Sequence, residues 1–236
     1  MANQTRTDIP AQTLTDLLQD YTVQTYSLSG KPFLVEHNVD ARSLLCEQRF
    51  DLFAKLFYIR YRTDRAMHHI ARWVYLSHIF CFNPDGIEPG STRKTTPGIF
   101  FEEFDSLIEK FSRRDFNPDL SLVPVDKNGV LLDGAHRLSA LASEGKSLSI
   151  VRFPTVASPY TFDSGFFIAR SMDRHAVALV YSEMQRWLPN VVIPTGLPQG
   201  LPSPLKVHWQ TLKYTRLWRA RRRCIKVVDW IVGLFM

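Results

Sequence analysis

Between Leu120 and Phe153 the apolar period of the sequence changes from two to about 3.6 and back, which restricts the chain to a mixed architecture. Leu120-Ser121-Leu122-Val123-Pro124-Val125 reads as a strand, with Pro124 suited to an edge or an end. Asp126-Lys127-Asn128-Gly129 is a turn and Val130-Leu131-Leu132 a returning strand. Asp133 then occupies the position expected of a helix N-cap. Leu138, Leu141 and Ala142 form the buried stripe of the following helix, Gly145 ends it, and Leu148 to Phe153 is a third strand.

The flanking segments are mostly helical in pattern. Upstream, Phe101, Phe104, Ile108 and Phe111 line one face of a helix over Phe100 to Phe111. Ala41 to Phe82 is apolar and free of glycine and proline, and reads as helical throughout. Its adjacent His68 and His69 project about 100° apart and make poor joint metal ligands. A short helix is expected around Leu14 to Leu18. Downstream, Asp173 to Leu188 is a further helix, and Pro189 to Pro204 reads as a linker. The expected division is a mainly helical region over 1–82, a phosphate-binding α+β core over 83–153, a helical segment with a Pro-rich linker over 154–204, and a basic amphipathic helix over 205–236.

With 45% hydrophobic residues in 236, the chain can bury a substantial core, and a disordered class is excluded. The net charge of +6 is concentrated rather than spread. Lys206, Lys213, Arg216, Arg219, Arg221, Arg222, Arg223 and Lys226 fall in a stretch with no acidic residue, interleaved with Trp209, Leu217, Trp218 and Ile225. Such a segment suits an anionic membrane surface, a nucleic acid, or packing on the core with a basic outer face. Cys46, Cys81 and Cys224 are too few and too scattered for a disulfide framework or a cysteine zinc site. The polar stretch Met1 to Pro10 lacks the features of a signal peptide, and no run approaches the roughly 20 apolar residues of a membrane span. A cytoplasmic location, peripheral on the inner face of a membrane where the tail engages one, is the expectation.

The chemistry concentrates in Asp133-Gly134-Ala135-His136-Arg137. A strand leading into a helix start gathers outward-pointing amides and the positive end of the helix dipole. Gly134 keeps a Cβ out of the path of an approaching phosphate, Arg137 supplies a planar fork, and His136 a further donor. Asp133 can cap the helix, polarise a hydroxyl or serve as a Mg²⁺ ligand. Between Asn83 and Gly98 lies a loop rich in hydroxyl and basic groups, with one carboxylate, Glu88.

Leu131 to Ala140 resembles the signature of the ParB/sulfiredoxin-like superfamily, and the resemblance extends over roughly Glu88 to Phe153 with helix, hairpin, helix and strand in matching order. It implies a small ParB/sulfiredoxin-like core whose turn binds nucleotide phosphates. The Asp-Gly-x-His-Arg form is closest to the nucleotide-dependent serine kinase branch. That branch implies Glu88 as the base for an acceptor hydroxyl, with Asp133 and His136 also in the catalytic set. Gly134, His136 and Arg137 would hold the donor phosphates, and Ser91, Thr92, Arg93 and Lys94 would close over the nucleotide. The implied cofactors are ATP, ADP or another nucleotide with Mg²⁺. Ala135 replaces the reactive cysteine of the reductase branch, and no helix-turn-helix pattern follows Phe153. The whole-chain pattern is similar to ParB-like proteins of polysaccharide and lipopolysaccharide gene clusters, which implies a saccharide, glycolipid or related acceptor. The alternative is a non-catalytic nucleotide-binding or DNA-binding regulator.

Overall fold

The computed structural model describes residues 6–7, 18, 20–84, 96–113, 122–212 and 214. Four strands, β1 (Arg6–Thr7), β2 (Leu34–Asp40), β3 (Val123–Val125) and β4 (Ser147–Arg152), form one sheet in the order β1-β2-β4-β3. β1 with β2 and β2 with β4 are antiparallel, whereas β3 and β4 run parallel. The helices are α1 (Asp20–Thr25), α2 (Phe50–Tyr61), α3 (His68–Phe82), α4 (Pro97–Ser112), α5 (Ala135–Ser143), α6 (Ser164–Ala169) and α7 (Arg174–Trp187), followed by a helical stretch over residues 204–212. The fold is therefore mixed α+β. No helix among the described residues is long and apolar enough to cross a membrane.

The sheet separates two cores. Leu148 and Ile150 of β4 face the larger, helix-covered core, while Val151 and Phe153 face a smaller one with Leu28, Phe33 and Val156. β2 serves both cores by an irregularity. Val35 lies in the small core and Val39 in the large one, although residues four apart on a regular strand share a face. The register shifts between Glu36 and Val39, and Asn38 takes φ 56° there, so the strand changes face at the bulge. β2 precedes the expected core over 83–153, so the sheet draws strands from both sides of that boundary.

Ala41 to Phe82 is not one helix. It divides into a 3₁₀ turn (Ala41–Leu44), α2 and α3. Asp40 ties its carboxylate to the Arg42 amide, and Asp64 accepts from the amides of Ala66 (2.8 Å) and Met67 (2.9 Å). Asp40 thus caps the start of the 3₁₀ turn, and at the break between α2 and α3 the short Asp64 side chain offers the backbone an alternative to helix, which apolar periodicity does not register. α4 matches its expected face: Phe101, Phe104, Ile108 and Phe111 are buried, with Thr96 as N-cap and Pro97 in the first turn. Residues 189–203 carry no regular structure, yet they are not a free linker. Val191 is buried, and Ile193 and Leu197 pack against the large core.

α2 is the hub of the large core, packing against α3, α5 and α7. Every residue from Phe50 to Tyr58 is buried, including Asp51 and Lys55. The two charges survive there because they are partnered. Arg49 grips Asp51 with two bonds (2.8 and 2.9 Å), and Lys55 Nζ reaches Asp51 Oδ2 at 3.0 Å. Lys55 also donates to Nε2 of His78 (3.1 Å), whose Nδ1 donates to the Tyr75 carbonyl (2.6 Å). Burial would raise the Asp51 carboxyl, but Arg49 and Lys55 outweigh it and hold the group well below the usual carboxylate range. Burial and the Lys55 charge push His78 well below 6.5, so it stays neutral.

That neutrality has a pH consequence. Below the unfolded-state value of 6.5, an unfolded His78 takes up a proton that the folded one refuses. Stability should thus fall as pH drops, by up to about 1.4 kcal/mol per pH unit for this group. Urea midpoints measured between about pH 7.5 and about pH 5 test this, with His78→Gln flattening the dependence while retaining an acceptor for Lys55.

Candidate functional site

The Asp133 turn is held from three sides. β3 passes into a tight reversal in which Asp126, buried, accepts from the amides of Asn128 (2.8 Å), Val130 (2.9 Å) and Ser158 (3.0 Å). The returning strand expected at Val130 to Leu132 is reduced to one antiparallel bridge, Val125 with Leu131, made by the Leu132 amide on the Pro124 carbonyl and the Asp126 amide on the Val130 carbonyl. The chain leaves the sheet there because α5 must cross back to β4, which lies parallel to β3. Arg49 donates to the Leu131 carbonyl, fastening the approach to the turn to the charged network of α2.

At the turn itself, Gly134 and not Asp133 is the N-cap. Gly134 takes φ 88° and ψ 26°, and its carbonyl accepts the first helical bond from the Leu138 amide (2.9 Å). Being glycine, it brings no side-chain cap. Asp133 is turned away from the helix amides. Its Oδ2 accepts from the Thr22 hydroxyl of α1 (2.8 Å) and lies 3.9 Å from Arg137 Nη2. Arg137 adds a reason of its own for glycine. A Cβ at 134 would stand 2.9 Å from Nη2 and 3.1 Å from Nε of Arg137, so the guanidinium itself occupies the space over the turn. Arg137 Nη1 donates to the Leu122 carbonyl at 2.9 Å, which holds the fork in that position. Burial lowers the Arg137 pKa and Asp133 opposes the shift. At the far end of α5, Gly145 adopts φ 63° and the Lys146 amide returns to the Leu141 carbonyl, as expected of a helix-ending glycine.

His136 faces the helical layer. Its Nε2 lies 2.8 Å from the hydroxyl of buried Tyr75, and its ring meets Phe104 edge-on at 4.7 Å. Through the Tyr75 backbone it connects to His78 and the Lys55–Asp51–Arg49 network. On the other side of the turn stands a group of tyrosines. Tyr26 meets Tyr160 edge-on at 5.8 Å, and Tyr160 stacks with Phe162. Burial raises Tyr26 to about 12 against the pull of Arg49, with the charge of Asp133 adding to the rise. Tyr21 and Tyr160 expose about half their surface.

The structure therefore gathers Asp133, Gly134, His136 and Arg137 at one helix start. Glu88, Ser91, Thr92, Arg93 and Lys94 lie outside the described residues. Among the described residues no group of three or more His, Cys, Asp or Glu side chains stands where it could hold a metal ion. Of the cysteines, Cys81 is buried and Cys46 half-buried, both as free thiols, and burial raises the pKa of each. Sequence reasoning missed Thr22, Arg49, Tyr75 and Tyr26 as neighbours of the turn. Only the Arg49-Asp51-Lys55 spacing carried a signal, since charges within a wholly apolar helix must find partners. Comparison of the chain with models of known families, with curated proteins and with solved structures gives no match.

Proposed function

We propose that the chain is a nucleotide-dependent phosphotransferase acting on a hydroxyl of a saccharide, glycolipid or related small molecule, with the start of α5 as its phosphate site. In this reading the unit of β3, turn, α5 and β4 is a ParB/sulfiredoxin-like core. The observation that carries it is a helix start whose N-cap is a left-handed glycine without a capping side chain, with the Arg137 guanidinium folded over it. An anion arriving there meets the helix amides, the dipole and a guanidinium together. Asp133 already accepts a hydrogen bond from the Thr22 hydroxyl, which is the interaction an acceptor hydroxyl would need. The exposed rings of Tyr21, which precedes Thr22 in α1, and of Tyr160, which meets Tyr26, offer stacking faces for a base or a sugar.

Arg137 and the amides of the first turn bind phosphate, His136 adds a donor from the helical side where Tyr75 holds it, and Glu88 takes the acceptor proton. Ser91 to Lys94 contribute donors to the nucleotide. ATP or ADP is the proposed donor. Mg²⁺ would accompany it as the counter-ion of the phosphates, with Asp133 the candidate protein ligand.

Calorimetry with ATP, ADP and CTP in the presence of Mg²⁺ tests the site. Arg137→Ala should weaken binding at least tenfold, in line with about 1.5–3 kcal/mol for a charged hydrogen-bond donor. Absence of binding by the wild-type chain to all three would remove the reading. Glu88→Gln should preserve binding and abolish turnover. A second reading, a non-catalytic nucleotide-binding or DNA-binding regulator, draws on the two structural partners of Asp133, Thr22 and Arg137. Nucleotide binding with no phosphoryl transfer to any hydroxyl acceptor would favour it.

A further inference from the structure

The segment after α7 turns a cluster of apolar side chains to solvent. Of the seven large apolar or aromatic residues exposed among the described residues, Val192, Leu201, Leu205 and Trp209 fall within 18 positions of one another. Leu205 and Trp209 are 66% and 57% exposed and are spaced by one helical turn in the helix over residues 204–212.

The orientation of this helix is set by docking. Val207 is buried, Lys206 Nζ bonds Asp173 (3.1 Å) and His175 (2.7 Å), and Gln210 donates to Asp173 at 2.7 Å. Residues 206, 207 and 210 thus occupy the core-facing side, and 205 and 209 the opposite one. The Gly196 carbonyl accepts from Arg174 at the same end of α7. The helix is therefore packed on the core, yet it leaves a leucine and a tryptophan outward.

We propose that the outward face of this helix, carrying Leu205 and Trp209, docks on an anionic lipid bilayer together with the basic segment that follows it. Charge complementarity supports the choice of partner. Lys213 to Lys226 holds seven cations and no carboxylate, and its cations alternate with Leu217, Trp218 and Ile225 before Val228, Trp230, Ile231, Leu234 and Phe235. Cations interspersed with Trp and Leu are the composition that favours an anionic headgroup boundary. A nucleic-acid site would use the same cations, but it has no need of so many bulky aliphatic groups. The inference is independent of the nucleotide site.

Flotation of the full chain with vesicles tests it. The protein should float with phosphatidylcholine vesicles containing about 30% phosphatidylglycerol, not with phosphatidylcholine alone, and should be released at about 0.5 M NaCl. L205S/W209S, and separately R221E/R222E/R223E, should each lower the bound fraction about tenfold, the first with an unchanged melting temperature. Tryptophan quenching by brominated lipids in the wild-type protein provides a readout that needs no variant. Absence of flotation with anionic vesicles, an unaltered bound fraction for L205S/W209S, or binding to a DNA duplex without binding to vesicles would overturn the proposal.

Discussion

Asp51→Ala should destabilise the protein by about 3–5 kcal/mol, the range found when one partner is removed from a buried charge pair. The size follows from what remains. Arg49 loses both bonds to the Asp51 carboxylate, and Lys55 loses its 3.0 Å partner, while both cations stay in the apolar interior beside His78. Two buried positive charges then face each other without the anion between them. The loss approaches the whole stability of many domains, so a shift to lower urea midpoint, or unfolding at ambient temperature, is the expected readout. Asp51→Asn separates charge from shape. It keeps the side-chain volume and one acceptor but should still cost several kcal/mol, because neutral Asn cannot balance two cations. A small effect from either substitution would show that Arg49 and Lys55 reach solvent and that the network does not anchor the turn.

The network also explains why this variant should affect more than stability. Arg49 joins Asp51 to the Leu131 carbonyl, two residues before Asp133, and His78 links the same cluster through Tyr75 to His136. Both flanks of the helix start are therefore referred to one set of buried charges. Nucleotide affinity and stability should decline together in Asp51 variants, and apart in Arg137 variants.

Gly134→Ala has the second largest expected effect. The φ of 88° disfavours any side chain, and the added methyl would sit 2.9 Å from Arg137 Nη2. The backbone strain alone is worth about 1–3 kcal/mol. The guanidinium is the far end of a flexible side chain, so it will yield, and in yielding it gives up the Leu122 carbonyl. The variant should consequently lose most of its nucleotide affinity while retaining its fold. A double variant, Gly134→Ala with Arg137→Ala, separates the two causes. If the clash matters, the pair should be less destabilising than the sum of the single changes by about 0.5–1 kcal/mol. Strict additivity would leave the φ preference as the sole reason for glycine.

The local elements are largely legible in the sequence. Phe101, Phe104, Ile108 and Phe111 mark α4 because helical periodicity is a property of the segment itself. The same holds for Gly145 as the end of α5, for α7 after Asp173, and for the strand at Leu148 to Phe153. The Asp133 turn is legible for a similar reason, since a strand, an Asp-Gly pair and a helix lie within a few residues. β2 is not, because its burial reverses face at the bulge and leaves no clean alternation in Leu34–Asp40. The break between α2 and α3 depends on the Asp64 carboxylate, whose bonds to neighbouring amides compete with an apolar pattern that runs on regardless.

Consecutive residues alone set the composition of the turn: a glycine, a histidine and an arginine at a helix start, and a carboxylate before it. Local chemistry suffices for that, because the backbone turn and the helix dipole arise from consecutive residues. Where those side chains point was decided by the tertiary structure. Thr22 draws Asp133 away from the cap, the Leu122 carbonyl folds Arg137 over Gly134, and Tyr75 turns His136 toward the helical layer. Each partner comes from a different element, separated from the turn by 111, 15 and 61 positions. Such contacts exist only once the sheet and the helices have closed on one another, and no local pattern encodes them.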